Sequence, residues 1–227
     1  MLIRNICILL MSLLGHGLAH ATSKEPLIIS FAGGVERAPY AELIESTYKE
    51  LGYDTIIVDI PAKRGLLQLN KGAIDADVVR LKKNAELYPN IIVIEPAITS
   101  GVIALVCAQG VKCDPSLLKN EDVEIYSHEG IVTQLGNAEV TAKIISHERM
   151  FSIIDMLVAQ RGNYALYACD FNTLNNLPSN LTAVTIKTVY GYHVISKKIA
   201  HLRPLIEAKI EEKLPEFHAT LRTYNKQ

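Results

Sequence analysis

The sequence has no excess of either charge and no cysteine pattern typical of a metal site. Its 227 residues include 23 Lys and Arg against 24 Asp and Glu, for a formal net charge of -1. This balance argues against non-specific nucleic-acid binding, which needs basic groups to neutralise phosphates. The 4 Cys form no C-x-x-C pair, which argues against a structural zinc site. The length and the 49% hydrophobic content indicate one or two globular domains.

Long apolar runs are also absent, except at the N-terminus. Arg4 supplies a positive start, residues 6–14 form a mostly apolar run, and Ala19 and Ala21 form a small-x-small cleavage signal. The run is shorter than the ~20 residues of a membrane-spanning helix. We therefore predict that residues 1–21 are a cleaved secretory signal peptide and that the mature protein is periplasmic. An uncleaved membrane anchor is the alternative.

Export would place the remaining cysteines in an oxidising compartment, where disulfides persist. Cys107 and Cys113 flank a short turn that contains Gly110, a spacing that suits a disulfide. The alternative is two free thiols. Cys169 ends an apolar stretch, and we expect it to be a buried, inert thiol.

Predicted strands and helices alternate along the chain. The first set has strands at residues 27–31, 54–60, 76–79 and 91–94, with helices at 40–51 and 66–69 between them. The second set has strands at residues 103–106, 123–126, 139–146, 164–169, 181–188 and 191–195, with helices at 150–160 and 200–214. This alternation predicts an α/β fold with mainly parallel sheets. No flexible linker separates the sets, which favours two lobes with a cleft between them, where ligands often bind.

The segment at residues 61–76 resembles the type 2 periplasmic solute-binding proteins, and more narrowly their amino-acid-binding branch. It has an amphipathic helix followed by a Gly-x-x-Asp-Ala motif, here Gly72 to Ala76, and then a strand. Further landmarks of the family follow in the same order at residues 95–97, 127–130, 157–165 and 192–198. The resemblance covers residues 27–217.

The resemblance implies a two-lobed type 2 fold in which each lobe is a mainly parallel sheet flanked by helices. Lobe one would comprise residues 22–101 plus 191–227, and lobe two residues 102–190. Two crossing segments, at residues 99–104 and 189–193, would act as the hinge. Such proteins close around a small solute and deliver it to a membrane permease or a sensor protein. We expect a monomer with no nucleic-acid partner.

Two polar anchors hold the ligand in the amino-acid binders that this chain resembles. An Arg about a dozen residues after the Gly-x-x-Asp-Ala motif takes the carboxylate, but Leu87 stands at that position. Arg80, at the end of a predicted strand, is the substitute that we expect, since a guanidinium binds carboxylates in a bidentate manner. Arg64 is a second candidate. For both arginines, a solvated surface position is the alternative.

Other candidate ligand-binding residues follow predicted strands. Glu36 and Arg37 lie in the loop after the first strand, which faces the cleft in the family that this chain resembles. Asp170 matches the ammonium-binding Asp of that family within one residue, or it caps the following helix. His128 and Gly130 open another helix, whose backbone N–H groups could hold an anionic group.

Sequence motifs of catalysis are missing from the chain. It has no Gly-x-Ser-x-Gly, no His-Glu-x-x-His and no P-loop, and its 7 His show no metal-ligand spacing. We therefore expect no cofactor, no metal and no enzyme activity. The predicted function is capture of a small polar solute, amino-acid-like or anionic, for an ABC-type transporter. The alternatives are a subunit that senses a solute for a membrane signalling protein, or a dehydratase-like enzyme using Glu129 or Asp170.

Overall fold

A single nine-stranded sheet runs through the part of the chain that the structure describes. This computed structural model describes residues 25–32, 38–136, 139–147 and 150–224. The strands are β1 (Leu27–Phe31), β2 (Thr55–Asp59), β3 (Ala76–Leu81), β4 (Ile91–Val93), β5 (Thr99–Cys107), β6 (Glu124–Ser127), β7 (Lys143–Ser146), β8 (Tyr164–Cys169) and β9 (Thr182–Ser196). Their spatial order is β2-β1-β3-β9-β5-β8-β6-β7, and β4 also pairs with β9.

Helices flank this sheet on both faces. They are α1 (Ala38–Glu50), α2 (Ala62–Asn70), α3 (Lys82–Glu86), α4 (Glu129–Leu135), α5 (Met150–Val158), α6 (Phe171–Asn175) and α7 (Arg203–Tyr224), with 3-10 helices at Pro115–Lys119 and Lys197–Leu202. Within the described ranges, none of the helices combines the length and the apolar character that crossing a bilayer requires.

The sheet has a parallel part in each of two lobes. In lobe one, β1 pairs in parallel with β2 and β3. In lobe two, β6 pairs in parallel with β7 and β8. Between them run β5 and β9, which pair with each other in antiparallel orientation and connect the lobes. The predicted α/β fold with two crossing segments is therefore confirmed, and its sheet is mixed, because the pairings of β9 and β5 are antiparallel.

The long strand β9 changes its partners at Gly191, pairing with β5 up to this residue and with β3 and β4 from there on. There it pairs with Thr99 of β5 on one side and Leu81 of β3 on the other. A Cβ atom at Gly191 would lie 2.6 Å from Thr99 Cγ2 and 2.7 Å from Val79 Cγ2, so only glycine fits between the two strands. The sequence predicted two separate strands here, which is wrong, because β9 continues through the crossing without a break.

Each lobe has hydrophobic cores on both faces of its sheet. In lobe one, α1 and α7 cover one face, while α2 and α3 cover the other. In lobe two, Ile103 and Leu105 of β5 point to one core, and Ala104 and Val106 point to the opposite core. Successive side chains of a strand point to opposite faces of the sheet. Because both faces of β5 are covered by a core, its sequence is a continuous apolar run rather than an alternating one.

A disulfide joins Cys107, the last residue of β5, to Cys113, with the two Cα atoms 5.7 Å apart. The turn between them contains Gly110 with a φ of +84°, a conformation that glycine adopts without strain. The predicted pairing of these two cysteines is confirmed. The bond fixes the loop that follows β5 against the core of lobe two.

Candidate functional site

A cavity of about 580 Å³ lies between the two lobes. This volume is in the usual range for small-molecule sites. Strands β3 and β8 both end at its wall, as expected for ligand sites in open α/β sheets. Residues from both lobes form the wall, among them Tyr40, Leu66, Arg80, Asn84, Leu87, Thr99, His128, Gly130, Ile131, Tyr167, Cys169, Asp170 and Leu221.

Arg80 is held at the cavity wall by a buried acidic partner. Its guanidinium Nη2 donates to Asp77 Oδ2, which also accepts a hydrogen bond from Ser30 Oγ. The Arg80 side chain is only 8% exposed and that of Asp77 is fully buried. Burial raises the pKa of the Asp77 carboxyl, while the charge of Arg80 and the Ser30 hydroxyl oppose that rise by stabilising the carboxylate.

A local irregularity in β3 brings Asp77 and Arg80 together. Residues three apart in a regular strand point to opposite faces of the sheet. The register between β3 and β9 shifts between Asp77 and Arg80, which indicates a β-bulge. Such a bulge re-aims a side chain, and here it lets the guanidinium meet the carboxylate on one side of the strand.

Gly65 allows α2 to pack closely against this ion pair. A Cβ atom at this position would lie 3.2 Å from both Arg80 Nη2 and Ser30 Oγ, and 3.3 Å from Asp77 Oδ2. A glycine inside a helix costs roughly 0.5–1 kcal/mol relative to alanine. The close approach explains its use here, because any side chain would press on the buried charges.

Asp170 lies in the wall on the side of lobe two. Its Oδ1 accepts a hydrogen bond from Thr173 N at 2.8 Å, and its Oδ2 accepts one from Thr173 Oγ1 at 3.0 Å. The residue therefore caps α6 and borders the cavity at the same time. The neighbouring Cys169 is a free, half-buried thiol in the same wall, and burial, with the charge of Asp170, raises its pKa to about 12.

His128 and Gly130 also border the cavity. His128 is the N-cap of α4, and its Nδ1 accepts the Gly130 N–H at 3.3 Å. The Gly130 N–H, one of the backbone donors predicted to bind an anionic group, is therefore already hydrogen-bonded within the chain. The ring and the glycine form part of the wall rather than an open helix end.

One of the predicted ligand-binding residues lies away from the cavity wall. Arg64 has an exposed side chain and is not part of the wall. Glu36 and Arg37 lie outside the described residues. Leu87, which stands where the resemblance places an Arg, is in the wall and 66% exposed, so this position offers an apolar surface to the cavity.

The sequence alone does not reveal the carboxylate that holds Arg80, or the serine that binds this carboxylate. Asp77 lies within a predicted apolar strand. A charged residue in such a strand indicates that it is paired with an opposite charge, because charged side chains are almost never fully buried unless they are paired. Ser30 is distant in sequence and gave no signal. Asp75 of the Gly-x-x-Asp-Ala motif has a structural role: its Oδ2 accepts the Ile28 N–H at 2.9 Å, and its Oδ1 lies 2.9 Å from Lys198 Nζ.

Comparisons with known proteins identify the architecture. No protein-family model and no curated protein matches the sequence. The GluR0 ligand-binding core, solved in complex with L-glutamate, is 12% identical with a TM-score of 0.71, and the match covers 90% of this chain and 98% of that one. The ancestral amino-acid-binding protein AncCDT-1, a precursor of cyclohexadienyl dehydratase, is 13% identical with a TM-score of 0.70, covering 88% and 94%.

A third solved structure, the VFT2 domain of Bordetella pertussis BvgS, is 10% identical with a TM-score of 0.66, covering 87% of this chain and 92% of that one. At this level of identity the likeness concerns the fold. The chain has the two-lobed fold of the type 2 periplasmic binding proteins, as the sequence resemblance implied.

Proposed function

We propose that this protein is an exported solute-binding protein that captures a small anionic or amino-acid-like solute between its lobes and delivers it to an ABC-type transporter. The observation that supports this most is the cavity of about 580 Å³ at the lobe contact, with Arg80 fixed in its wall. The proposed lobe limits are residues 22–101 plus 191–227 and residues 102–190, and the proposed signal peptide, residues 1–21, lies outside the described residues.

Arg80 is the proposed anchor for an anionic group. A guanidinium has five donors in a planar fork and stays charged at any physiological pH. Asp77 accepts a hydrogen bond from Arg80 Nη2 and so fixes the orientation of the guanidinium, and Ser30 donates to the same carboxylate oxygen of Asp77. A pre-oriented guanidinium loses less side-chain entropy when a carboxylate binds, and charge-assisted hydrogen bonds are stronger than neutral ones.

The rest of the wall favours a ligand with an apolar body. Leu66, Leu87 and Ile131 present hydrocarbon to the cavity from both lobes. Among the described wall residues the carboxylate is Asp170, and both of its oxygens already accept hydrogen bonds from Thr173. An α-ammonium group would share this carboxylate with Thr173, through the lone pairs that the capping bonds leave. The site therefore suits a carboxylate with an aromatic or aliphatic body at least as well as the corresponding amino acid.

The same observation supports a binding role without turnover. A dehydratase-like reaction needs a carboxylate free to accept or donate a proton at the substrate. Asp170 instead caps α6, and the side chain of Glu129, the other candidate, lies outside the described part of the structure. We propose that the bound solute is released chemically unchanged.

A thermal-shift screen of the purified protein tests the proposal. The compounds are matched pairs that differ in the α-ammonium group, phenylalanine with 3-phenylpropanoate and leucine with 4-methylpentanoate, together with polyamines and sugars. A ligand at 100 times its dissociation constant stabilises the folded state by ~2.7 kcal/mol, which raises the melting temperature by several degrees in a chain of this size. A shift with one of the acids supports the proposal, and no shift with any compound contradicts it.

A further inference from the structure

We propose that Asn84 and Gln134 form a latch that holds the two lobes together over the cavity, and that Gly130 is required for the latch to close. The inference concerns the regulation of the site described above and rests on the proposed function only for its biological meaning. Asn84 and Gly130 both lie in the cavity wall. The latch would set how long a solute stays enclosed.

The latch is a direct side-chain hydrogen bond between the lobes. Asn84 belongs to α3 of lobe one, and Gln134 belongs to the last turn of α4 in lobe two. Gln134 Nε2 donates to Asn84 Oδ1 at 2.8 Å, and the Gln134 side chain is only 5% exposed. A buried amide needs a partner, so this geometry depends on the approach of the two helices.

Two lysines converge on the same residue of α4. Lys83 Nζ of lobe one donates to the Gln134 carbonyl oxygen at 3.2 Å, and Lys187 Nζ of β9 donates to that oxygen at 2.7 Å. The last carbonyls of a helix lack partners within the helix and carry partial negative charge. Lys83 thus adds a second contact between the lobes, next to the amide bond.

Gly130 leaves room for the Asn84 side chain. A Cβ atom at Gly130 would lie 2.8 Å from Asn84 Nδ2, closer than such atoms normally approach, with Asn84 Cγ at 3.6 Å and His128 Nδ1 at 3.7 Å. The glycine has no positive φ, so α4 itself would accept alanine, which is a better helix former. A methyl group here therefore disturbs the contact with lobe one and leaves its own helix intact.

Small-angle X-ray scattering of the purified protein, with no added solute, tests the latch. Wild-type scattering should match the curve calculated from the structure. Gln134→Ala and Asn84→Ala remove the same hydrogen bond from opposite lobes, and each should raise the population of open molecules about fivefold, the usual value of one net hydrogen bond. If the radius of gyration increases in both variants, loss of the hydrogen bond is the cause. Local misfolding of α4 would affect only Gln134→Ala, because Asn84 lies on α3.

Gly130→Ala should also open the protein. Added to Asn84→Ala, it should have no further effect, because the Asn84 amide that the new methyl group would contact is already absent. The matched control is Asn90→Ala. Inside lobe one, Asn90 donates two hydrogen bonds to Asn70, from its backbone N at 3.0 Å and from Nδ2 at 3.1 Å. The variant loses only the side-chain bond, and this loss should leave the scattering unchanged. The same scattering from the wild type and all variants would overturn the latch. Because no solute is used, this result is independent of the screen for ligands.

Discussion

Stability of this protein should fall in mild acid because of His193. This residue of β9 is fully buried in lobe one. Its Nε2 lies 3.0 Å from the Tyr48 hydroxyl oxygen, and its Nδ1 lies 3.4 Å from the Val78 carbonyl oxygen. In the neutral ring, Nδ1–H donates to Val78 and Nε2 accepts from Tyr48. Burial, opposed by backbone hydrogen bonds, lowers the pKa of His193 to about 4.

The sign of the effect follows from proton binding in the two states. An unfolded histidine binds a proton near pH ~6.5, whereas His193 in the folded protein does so only near pH ~4. Between these values the unfolded state holds more protons, so the free energy of unfolding falls as the pH decreases. The difference of between two and three pKa units corresponds to about 3 kcal/mol, at about 1.4 kcal/mol per unit.

Urea unfolding at about pH 7 and about pH 4.5 measures this contribution. His193→Gln removes the titration but keeps an amide that can reach the same two partners. The wild type should lose about 2 kcal/mol more than this variant between the two conditions. His201→Gln, at an exposed position, should behave like the wild type. Equal losses in the wild type and His193→Gln would refute the assignment of acid sensitivity to this buried ring.

Three further predictions concern the strands around the cavity. Because its pKa is raised to about 12, Cys169 should react with iodoacetamide at pH ~8 at least about tenfold more slowly than a free cysteine, since the greater nucleophilicity of its thiolate offsets only part of the loss of thiolate. A comparable rate would contradict its half-buried environment. A Cβ atom at Gly101 would lie 2.5 Å from the Cys169 carbonyl oxygen, so Gly101→Ala should cost about 1–3 kcal/mol in urea unfolding, with no such loss for the exposed Ser100→Ala. Cys107→Ala combined with Cys113→Ala should lower the free energy of unfolding by about 2 kcal/mol, and unchanged stability would refute a role for the disulfide.

The parts of the fold that follow from local patterns were predictable. Strands β1 and β8 have the predicted bounds, because each is a short apolar run that ends at a polar or glycine-containing segment. The C-terminal helix is longer than predicted: it continues through Pro215 to Tyr224. Phe217 packs on Tyr40 of α1, with ring centroids 5.3 Å apart, and this tertiary contact supports the extension.

The arrangement at the site depends on distant contacts and was only partly predictable. Arg80 and Asp170 lie in the cavity wall. They could be predicted because each lies at the end of a predicted strand, where ligands bind in open α/β sheets. Asp77 and Ser30 could not be assigned to Arg80, because a β-bulge and a neighbouring strand bring them together. The contact between Asn84 and Gln134 needs the relative position of the two lobes, on which the sequence gives no information.

Isothermal titration calorimetry with a compound identified by the thermal-shift screen tests the claim that Arg80 anchors an anionic solute in the cavity. Arg80→Lys keeps a positive charge beside the buried Asp77, which avoids the cost of leaving that carboxylate unpaired. Because lysine lacks the planar fork, we expect about tenfold weaker binding in this variant. Arg161→Lys, at an exposed position outside the cavity, should bind like the wild type. Equal affinities for the wild type and Arg80→Lys would contradict the claim.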